Sequence, residues 1–162
     1  MDTCRFSTPL GEMVAAVDDE GNLKRLSFVA GREHVDPAAP RDNPRCAGVV
    51  REVLEYFAGE RTSFGLPLDP DGTIFQRDVW RALAEIPFGE RRSYSDVAQR
   101  VGRPEAVRAV GAANGANPIA IVIPCHRVLG RDGSLTGYGA GLPKKRWLLD
   151  FESGLRLLPL SL

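Results

Sequence analysis

Seven residues, Leu66-Pro67-Leu68-Asp69-Pro70-Asp71-Gly72, limit what this chain can fold into more than any other stretch. Two prolines remove backbone donors and fix φ, and the closing Asp-Gly favours a turn. Neither a helix nor a central strand can run through such a segment. The chain has 162 residues, enough for one ordinary domain or two small ones. A stiff linker at this position favours two: an N-terminal domain over 1–66, a linker over 67–72 and a C-terminal domain over 73–162.

The two parts carry different patterns. In the first, Phe6 to Gly11 predicts a strand and turn, Met13 to Val17 a second strand, and Leu23 to Phe28 a third after the turn cluster Asp18-Asp19-Glu20-Gly21-Asn22. Gly31 to Arg45, rich in Pro, Asp and Arg, reads as loop. Val49, Val50, Val53, Leu54 and Phe57 share one face of a helix that ends at Gly59. No catalytic constellation is visible here, so the expected role of this domain is structural.

In the second part Thr73 caps a helix in which Phe75, Val79 and Leu83 recur every four residues with Trp80 beside them, and Ile86-Pro87-Phe88-Gly89 stops it. Ser93 and Asp96 have capping-box spacing at the start of a short helix, with Val97 and Val101 on its apolar side. Gly102 breaks that helix, and Pro104 is placed to open another over Glu105 to Asn114. Helix, glycine turn, helix is the helix-turn-helix pattern, which alone does not establish DNA binding. The second helix is lined with Ala106, Ala109, Gly111, Ala112 and Ala113 and carries Arg108. Such small side chains either let an exposed backbone approach a narrow surface or simply pack on the first helix.

Formal net charge is zero, but it is unevenly divided. Residues 1–72 hold 8 basic and 13 acidic side chains, a balance of −5, and residues 73–162 hold 13 and 8, a balance of +5. A basic C-terminal part is suited to a polyanion. With 43% hydrophobic and 26% charged residues the chain is globular. No apolar run is long enough to cross a bilayer, and Met1-Asp2-Thr3-Cys4-Arg5 lacks the layout of a signal peptide. Three widely spaced cysteines (Cys4, Cys46, Cys125) make no disulfide framework, and with His34 and His126 they make a poor metal site. The expected location is the reducing cytoplasm.

The run Ile121-Val122-Ile123-Pro124-Cys125-His126-Arg127-Val128 carries the chemistry. A short apolar run bounded by Pro reads as a buried strand, which places Cys125 at a strand end beside His126. A thiol is a useful nucleophile only as thiolate, and an adjacent imidazole is a common means of forming one. An inert core cysteine is the competing reading, and adjacency alone does not separate the two.

Taken together, these features resemble the O6-alkylguanine-DNA alkyltransferases. The resemblance rests on Phe75-Gln76-Arg77-Asp78-Val79-Trp80, Ile86-Pro87-Phe88-Gly89, Ser93-Tyr94, Val107-Arg108-Ala109-Val110-Gly111 and Ala116-Asn117-Pro118. It continues through Pro124-Cys125-His126-Arg127-Val128, Thr136-Gly137-Tyr138-Gly139 and Trp147-Leu148-Leu149. Residues 1–66 resemble the family only in length and in strands-then-helix order. The resemblance implies an α/β (α+β) chain: a small ribonuclease H-like sheet-plus-helix domain, then a mainly helical, winged-helix-like domain with a helix-turn-helix. It implies irreversible, single-turnover transfer of an alkyl group from O6-alkylguanine in duplex DNA to Cys125, with O4-alkylthymine an optional second substrate.

The same resemblance distributes roles. His126 is the base, acting through a water, and Glu152, on the helix begun by Pro143, orients it. Asn117 braces the turn and the cysteine. Tyr94 contacts the phosphate and base and is a candidate proton donor, Tyr138 walls the pocket, and Lys145 lies nearby. The Gly139 N–H and the carbonyls of Cys125 and Val128 hold the guanine edge. Arg108 fills the place of the flipped nucleotide, and the small-residue helix bearing Ala109 enters the minor groove with little sequence preference. The protein is expected to act as a monomer, with no cofactor, no zinc and no membrane. A lesion-binding module without transfer is disfavoured by the presence of Cys125. A Cys–His hydrolase leaves residues 73–108 unexplained.

Overall fold

Alternating apolar and polar residues at the start of the chain build a three-stranded antiparallel meander. The structure, a computed structural model, describes residues 1–29 and 43–154. Strands β1 (Asp2–Thr8), β2 (Gly11–Val17) and β3 (Leu23–Phe28) pair in the order β1-β2-β3. Strand β1 begins at Asp2, ahead of the strand predicted from Phe6. The register Asp2↔Val17 through Thr8↔Gly11 shows why: β2 offers partners along its whole length, and pairing overrides a weak local pattern. Met13 to Val17 are all buried, so the central strand feeds the core from both faces.

Helix α1 (Ala47–Phe57) packs by Val49, Val53, Tyr56 and Phe57, positions i, i+4, i+7 and i+8. Tyr56 takes the place predicted for Leu54, which is 39% exposed. Gly59, at φ +77°, closes the helix in a left-handed conformation that glycine adopts without strain. Most of the loop predicted over 31–45 lies outside the described residues, as does His34. Its end is visible: Asn43 Oδ1 accepts from Arg45 N at 3.0 Å and caps a 3₁₀ turn, Pro44–Cys46.

The proline-rich stretch is partly anchored. Leu23 N donates to Pro67 O (2.7 Å), Asp69 N donates to Leu23 O (3.0 Å), and Lys24 Nζ reaches Asp69 Oδ2 at 3.0 Å. Leu68 thus forms a parallel bridge to the start of β3, and the first compact unit runs Met1–Pro70.

The second unit, from Asp71 onward, is mainly helical. It contains α2 (Ile74–Ala84), β4 (Arg92–Ser93), α3 (Tyr94–Arg100), α4 (Val107–Gly115), β5 (Val128–Leu129) and α5 (Leu142–Glu152). Thr73 and Gln76 form a full capping box on α2, and Ser93 and Asp96 form another on α3. Val79, Trp80, Leu83, Val97, Val110 and Leu148 are buried in its core. Full burial of such aliphatic side chains contributes about 1.5–3 kcal/mol each. Trp80 also satisfies its indole N–H on Ala113 O at 2.8 Å, tying α2 to the end of α4.

The second helix of the helix-turn-helix begins later than predicted, at Val107 and not at Glu105. Gly102, at φ +78°, ends α3, and Arg103 N then donates back to Ala98 O at 2.9 Å. Ala106 N donates to Arg103 O at 2.9 Å, so Pro104 and Glu105 form a tight turn that precedes the helix.

Candidate active site

Cys125 does not follow a strand. The strand predicted through Ile123 is a succession of tight turns that enters a 3₁₀ turn over Cys125–Arg127. The physical reason is local satisfaction of the buried backbone. Val122 N bonds Ala120 O (2.8 Å), Ile123 N bonds Ile119 O (3.1 Å) and Cys125 N bonds Ile123 O (2.8 Å). Asn117 completes the set: its Oδ1 accepts from Ile119 N at 3.0 Å, and its Nδ2 donates to Ile119 O at 3.2 Å and Ile123 O at 2.8 Å. One amide thus replaces the ladder a strand would have needed. Ile121 sits at φ +70°, a left-handed conformation that a β-branched residue holds only where its surroundings over-determine it.

This turn delivers three consecutive buried polar side chains, Cys125, His126 and Arg127. All converge on α5. His126 Nε2 lies 2.8 Å from Glu152 Oε2; Arg127 Nε donates to Oε1 at 2.7 Å, and Arg127 Nη2 donates to Oε2 at 2.9 Å. Arg127 Nη1 donates to Ile86 O at 2.6 Å, and its guanidinium lies 5.8 Å from the centre of the Phe88 ring. The Ile86-Pro87-Phe88-Gly89 turn is therefore more than a helix stop. A Cβ on Gly89 would lie 3.3 Å from the Glu152 carbonyl oxygen, and φ there is +84°.

Burial works against the Glu152 carboxylate, but the bonds from His126 and Arg127 outweigh it and hold the group well below the usual carboxylate range. Burial pushes His126 downward, more than the Glu152 bond and charge can restore, so the imidazole is neutral at neutral pH. With Nε2–H donating to a carboxylate, Nδ1 carries the free lone pair. Nδ1 is buried and has no partner among the described residues. Burial likewise pushes the Cys125 thiol up, opposed by a hydrogen bond from Asn117 and by the charge of Lys145. The resting thiol is protonated, and a base must act on it.

A second cluster adjoins the first. The parallel pairing Arg92↔Val128 and Ser93↔Leu129 brings Tyr94, the first residue of α3, alongside the segment that follows Cys125. Lys145 is fully buried, and its Nζ donates to Thr136 O at 2.7 Å and Gly137 O at 3.5 Å. Burial lowers its pKa to about 8, with Cys125 acting in the opposite sense. Lys145 thus holds the 136–137 segment by its carbonyls and faces neither outward nor toward another side chain's carboxylate. Tyr138 has a buried hydroxyl with no partner among the described residues; burial, then the charges of Cys125 and Glu152, raises its pKa well above the phenol range. The Cys125 carbonyl accepts the Val128 N–H, and Gly139 lies in the turn leading to α5.

Arg108 and Ala109 lie on the exposed face of α4. Ala112 and Gly115 extend that face, whereas Ala113 is buried. The packing alternative thus applies to Ala113 and not to Ala109 or Ala112. Among the described residues Arg108 has no ion-pair partner. Sequence reasoning assigned no role to Arg127 or Thr136, although both lie in motifs that carried the resemblance. An arginine two positions after a buried cysteine was the available signal for the first. Among the described residues, no three His, Cys, Asp or Glu side chains come together as a metal-binding group. No helix there is long and apolar enough to cross a membrane.

A buried thiol beside a histidine fixed by a carboxylate, on a helix-turn-helix scaffold, defines a class: a cysteine nucleophile carried by a domain of nucleic-acid-binding architecture. Residues 74–154 match the 6-O-methylguanine DNA methyltransferase, DNA binding domain, and residues 5–70 match the ribonuclease-like domain of the same methyltransferases. The chain belongs to the 6-O-methylguanine-DNA methyltransferase family. It is 48% identical over 149 residues to a methylated-DNA–protein-cysteine methyltransferase of Methanosarcina acetivorans, covering 91% of this chain and 95% of that one. It is 46% identical over 151 residues to the constitutive enzyme of Bacillus subtilis, covering 90% and 91%. The crystal structure of Mycobacterium tuberculosis OGT in complex with DNA superimposes with a TM-score of 0.87 at 43% identity, covering 95% of this chain and 94% of that one.

Proposed function

We propose that this protein repairs alkylated DNA by direct reversal, as a methylated-DNA–protein-cysteine S-methyltransferase that accepts one alkyl group per molecule on Cys125. The substrate is duplex DNA bearing O6-alkylguanine, bound through the minor groove with little sequence preference. The observation that carries this reading is His126, tied to Glu152 through Nε2 and presenting a buried Nδ1, unpartnered among the described residues, next in sequence to the thiol.

Chemistry follows from that arrangement. His126 takes the Cys125 proton, directly or through one water, and Glu152 steadies the imidazolium that forms. The thiolate sulfur attacks the alkyl carbon, the S–C bond forms, the C–O6 bond breaks, and its electron pair leaves with guanine. A proton reaches the base as the bond breaks, and Tyr94 gives it. The product is a thioether, which thiols do not reverse, so each molecule acts once. Asn117 holds the turn that aims the sulfur, Tyr138 walls the pocket, and the Gly139 N–H and the carbonyls of Cys125 and Val128 meet the guanine edge. Lys145 serves the pocket by holding its wall in place.

The target nucleotide must leave the stack to reach a buried sulfur. Arg108 fills the vacated place, and Ala109 and Ala112 let α4 approach the groove floor. The protein acts as a monomer in the cytoplasm, the ribonuclease-like unit serves a structural role, and no metal takes part. The test is transfer of tritium from a duplex carrying one O6-[³H]methylguanine to the protein. Label on the wild type and none on a C125A variant supports the reading; equal label on both overturns it.

A further inference from the structure

Thr136 is assigned no role by the reaction scheme above, yet it sits where two of its groups meet. Its carbonyl oxygen accepts from Lys145 Nζ at 2.7 Å and from the Tyr94 hydroxyl at 3.3 Å. Its own Oγ1–H donates to the Tyr94 oxygen at 3.2 Å. The Lys145 ammonium lies 6.0 Å from the centre of the Tyr94 ring. Three segments therefore meet at one residue: the start of α3, the pocket-wall segment, and α5.

Hydrogen counting separates the two Thr136 contacts. A phenol has one proton, and in this structure it goes to the Thr136 carbonyl. When Tyr94 donates to substrate that bond must break, and the carbonyl keeps its partner in Lys145. The Thr136 hydroxyl bond runs the other way, into the phenol oxygen, and survives the change of acceptor. A donor aimed at an oxygen that is losing its proton stabilises the charge developing there. Such contacts are commonly long before substrate binds and shorten in the reactive complex.

We infer that Thr136 is a positioning residue for proton delivery: its carbonyl parks the Tyr94 proton in the free protein, and its hydroxyl supports the phenol oxygen as that proton passes to the leaving guanine. This rests on the proposed alkyl transfer and on Tyr94 as its proton donor. The S–C bond forms and the C–O6 bond breaks; guanine takes the Tyr94 proton as it leaves. The proton first removed from Cys125 to His126 is released to solvent, from which the Tyr94 oxygen is reprotonated while Thr136 donates to it.

The test is the single-turnover rate of methyl transfer, with duplex affinity measured separately, for the wild type, T136V, T136S, Y94F and the Y94F/T136V double variant. Valine matches threonine in shape and keeps the carbonyl, so the Lys145 contact remains. T136V is expected to transfer about five- to tenfold more slowly, the worth of one hydrogen bond, with unchanged duplex affinity. T136S restores the rate, and adding T136V to Y94F costs nothing further, because the hydroxyl acts only through the Tyr94 oxygen. A merely structural threonine gives additive losses. A wild-type rate in T136V, no rescue by T136S, or additivity with Y94F overturns the inference. A wild type that transfers no methyl at all overturns the proposed function itself, a different outcome in the same experiment.

Discussion

Each unit of this molecule buries a glutamate and cysteine, and only in the second do they belong to the candidate site. In the first unit Glu52 is 6% exposed; its Oε1 accepts from Gly65 N at 2.8 Å and lies 3.3 Å from Arg61 Nη1. These donors always carry their protons, and Glu52 holds a loop closed. In the second unit Glu152 is equally buried, but one of its partners is a histidine whose other nitrogen is unpaired. The cysteines differ in the same way. Burial, then a hydrogen bond with Cys46, raises Cys4; burial and the charge of Asp2 raise Cys46, and among the described residues no histidine acts on either thiol. Cys125 is buried too, yet Asn117 and the charge of Lys145 act to lower it, and His126 follows it in sequence. Burial alone makes an inert thiol; a neighbour able to take the proton makes a nucleophile.

The largest effect should separate the cysteines. C125S is expected to abolish methyl transfer while duplex binding persists, and C4S and C46S are expected to transfer at the wild-type rate, read by single-turnover assay. Loss of transfer in C46S would erase the distinction between the units.

The glutamates come next. E152A should slow transfer by about 10²–10⁴-fold, the usual contribution of general-base machinery. It should also cost about 3–5 kcal/mol in urea melts, because Arg127 is left buried without its carboxylate. E52A should cost about 1–3 kcal/mol for an unpaired Gly65 N–H and leave the transfer rate of the folded protein unchanged.

Asn117 tests the turn that replaced the predicted strand. N117A removes the bonds to Ile119 and Ile123 and should lower stability by about 2–3 kcal/mol while slowing transfer. N117A with wild-type stability would show that the turn holds itself.

The smallest effect is the acid response. His126 is depressed by burial, so its contribution is complete above the ordinary histidine value of 6.5 and is lost as pH falls, when the unfolded chain takes a proton the folded one refuses. Glu152 is also depressed, and its contribution begins to fall below the ordinary 4.5. Between pH 6.5 and 5 the wild type should lose at most about 1.4 kcal/mol per pH unit through His126. H126Q should show a flatter stability profile over that interval.

Much of this was legible in the sequence because it is local. Thr73 with Gln76 and Ser93 with Asp96 cap as their spacing predicts, and the Cys125-His126 pair marks the candidate site. The failures have non-local causes. The run before Cys125 has the pattern of a strand, and periodicity cannot distinguish short buried runs; the Asn117 side chain, four residues before Ile121, decides the matter. Arg127 has no role in the sequence pattern until α5 brings Glu152 to it, and no spacing rule connects positions 25 residues apart. Thr136 acquires its neighbours only when α3 and α5 meet the same segment.

The most direct measurement is intact-mass and peptide-mapping mass spectrometry after incubation with excess duplex carrying a single O6-methylguanine. The account predicts one added methyl per protein, all of it on Cys125, with Cys4 and Cys46 unmodified and repair stopping at one event per molecule. Methyl on Cys4 or Cys46, or repair that continues beyond one event per protein, would contradict it.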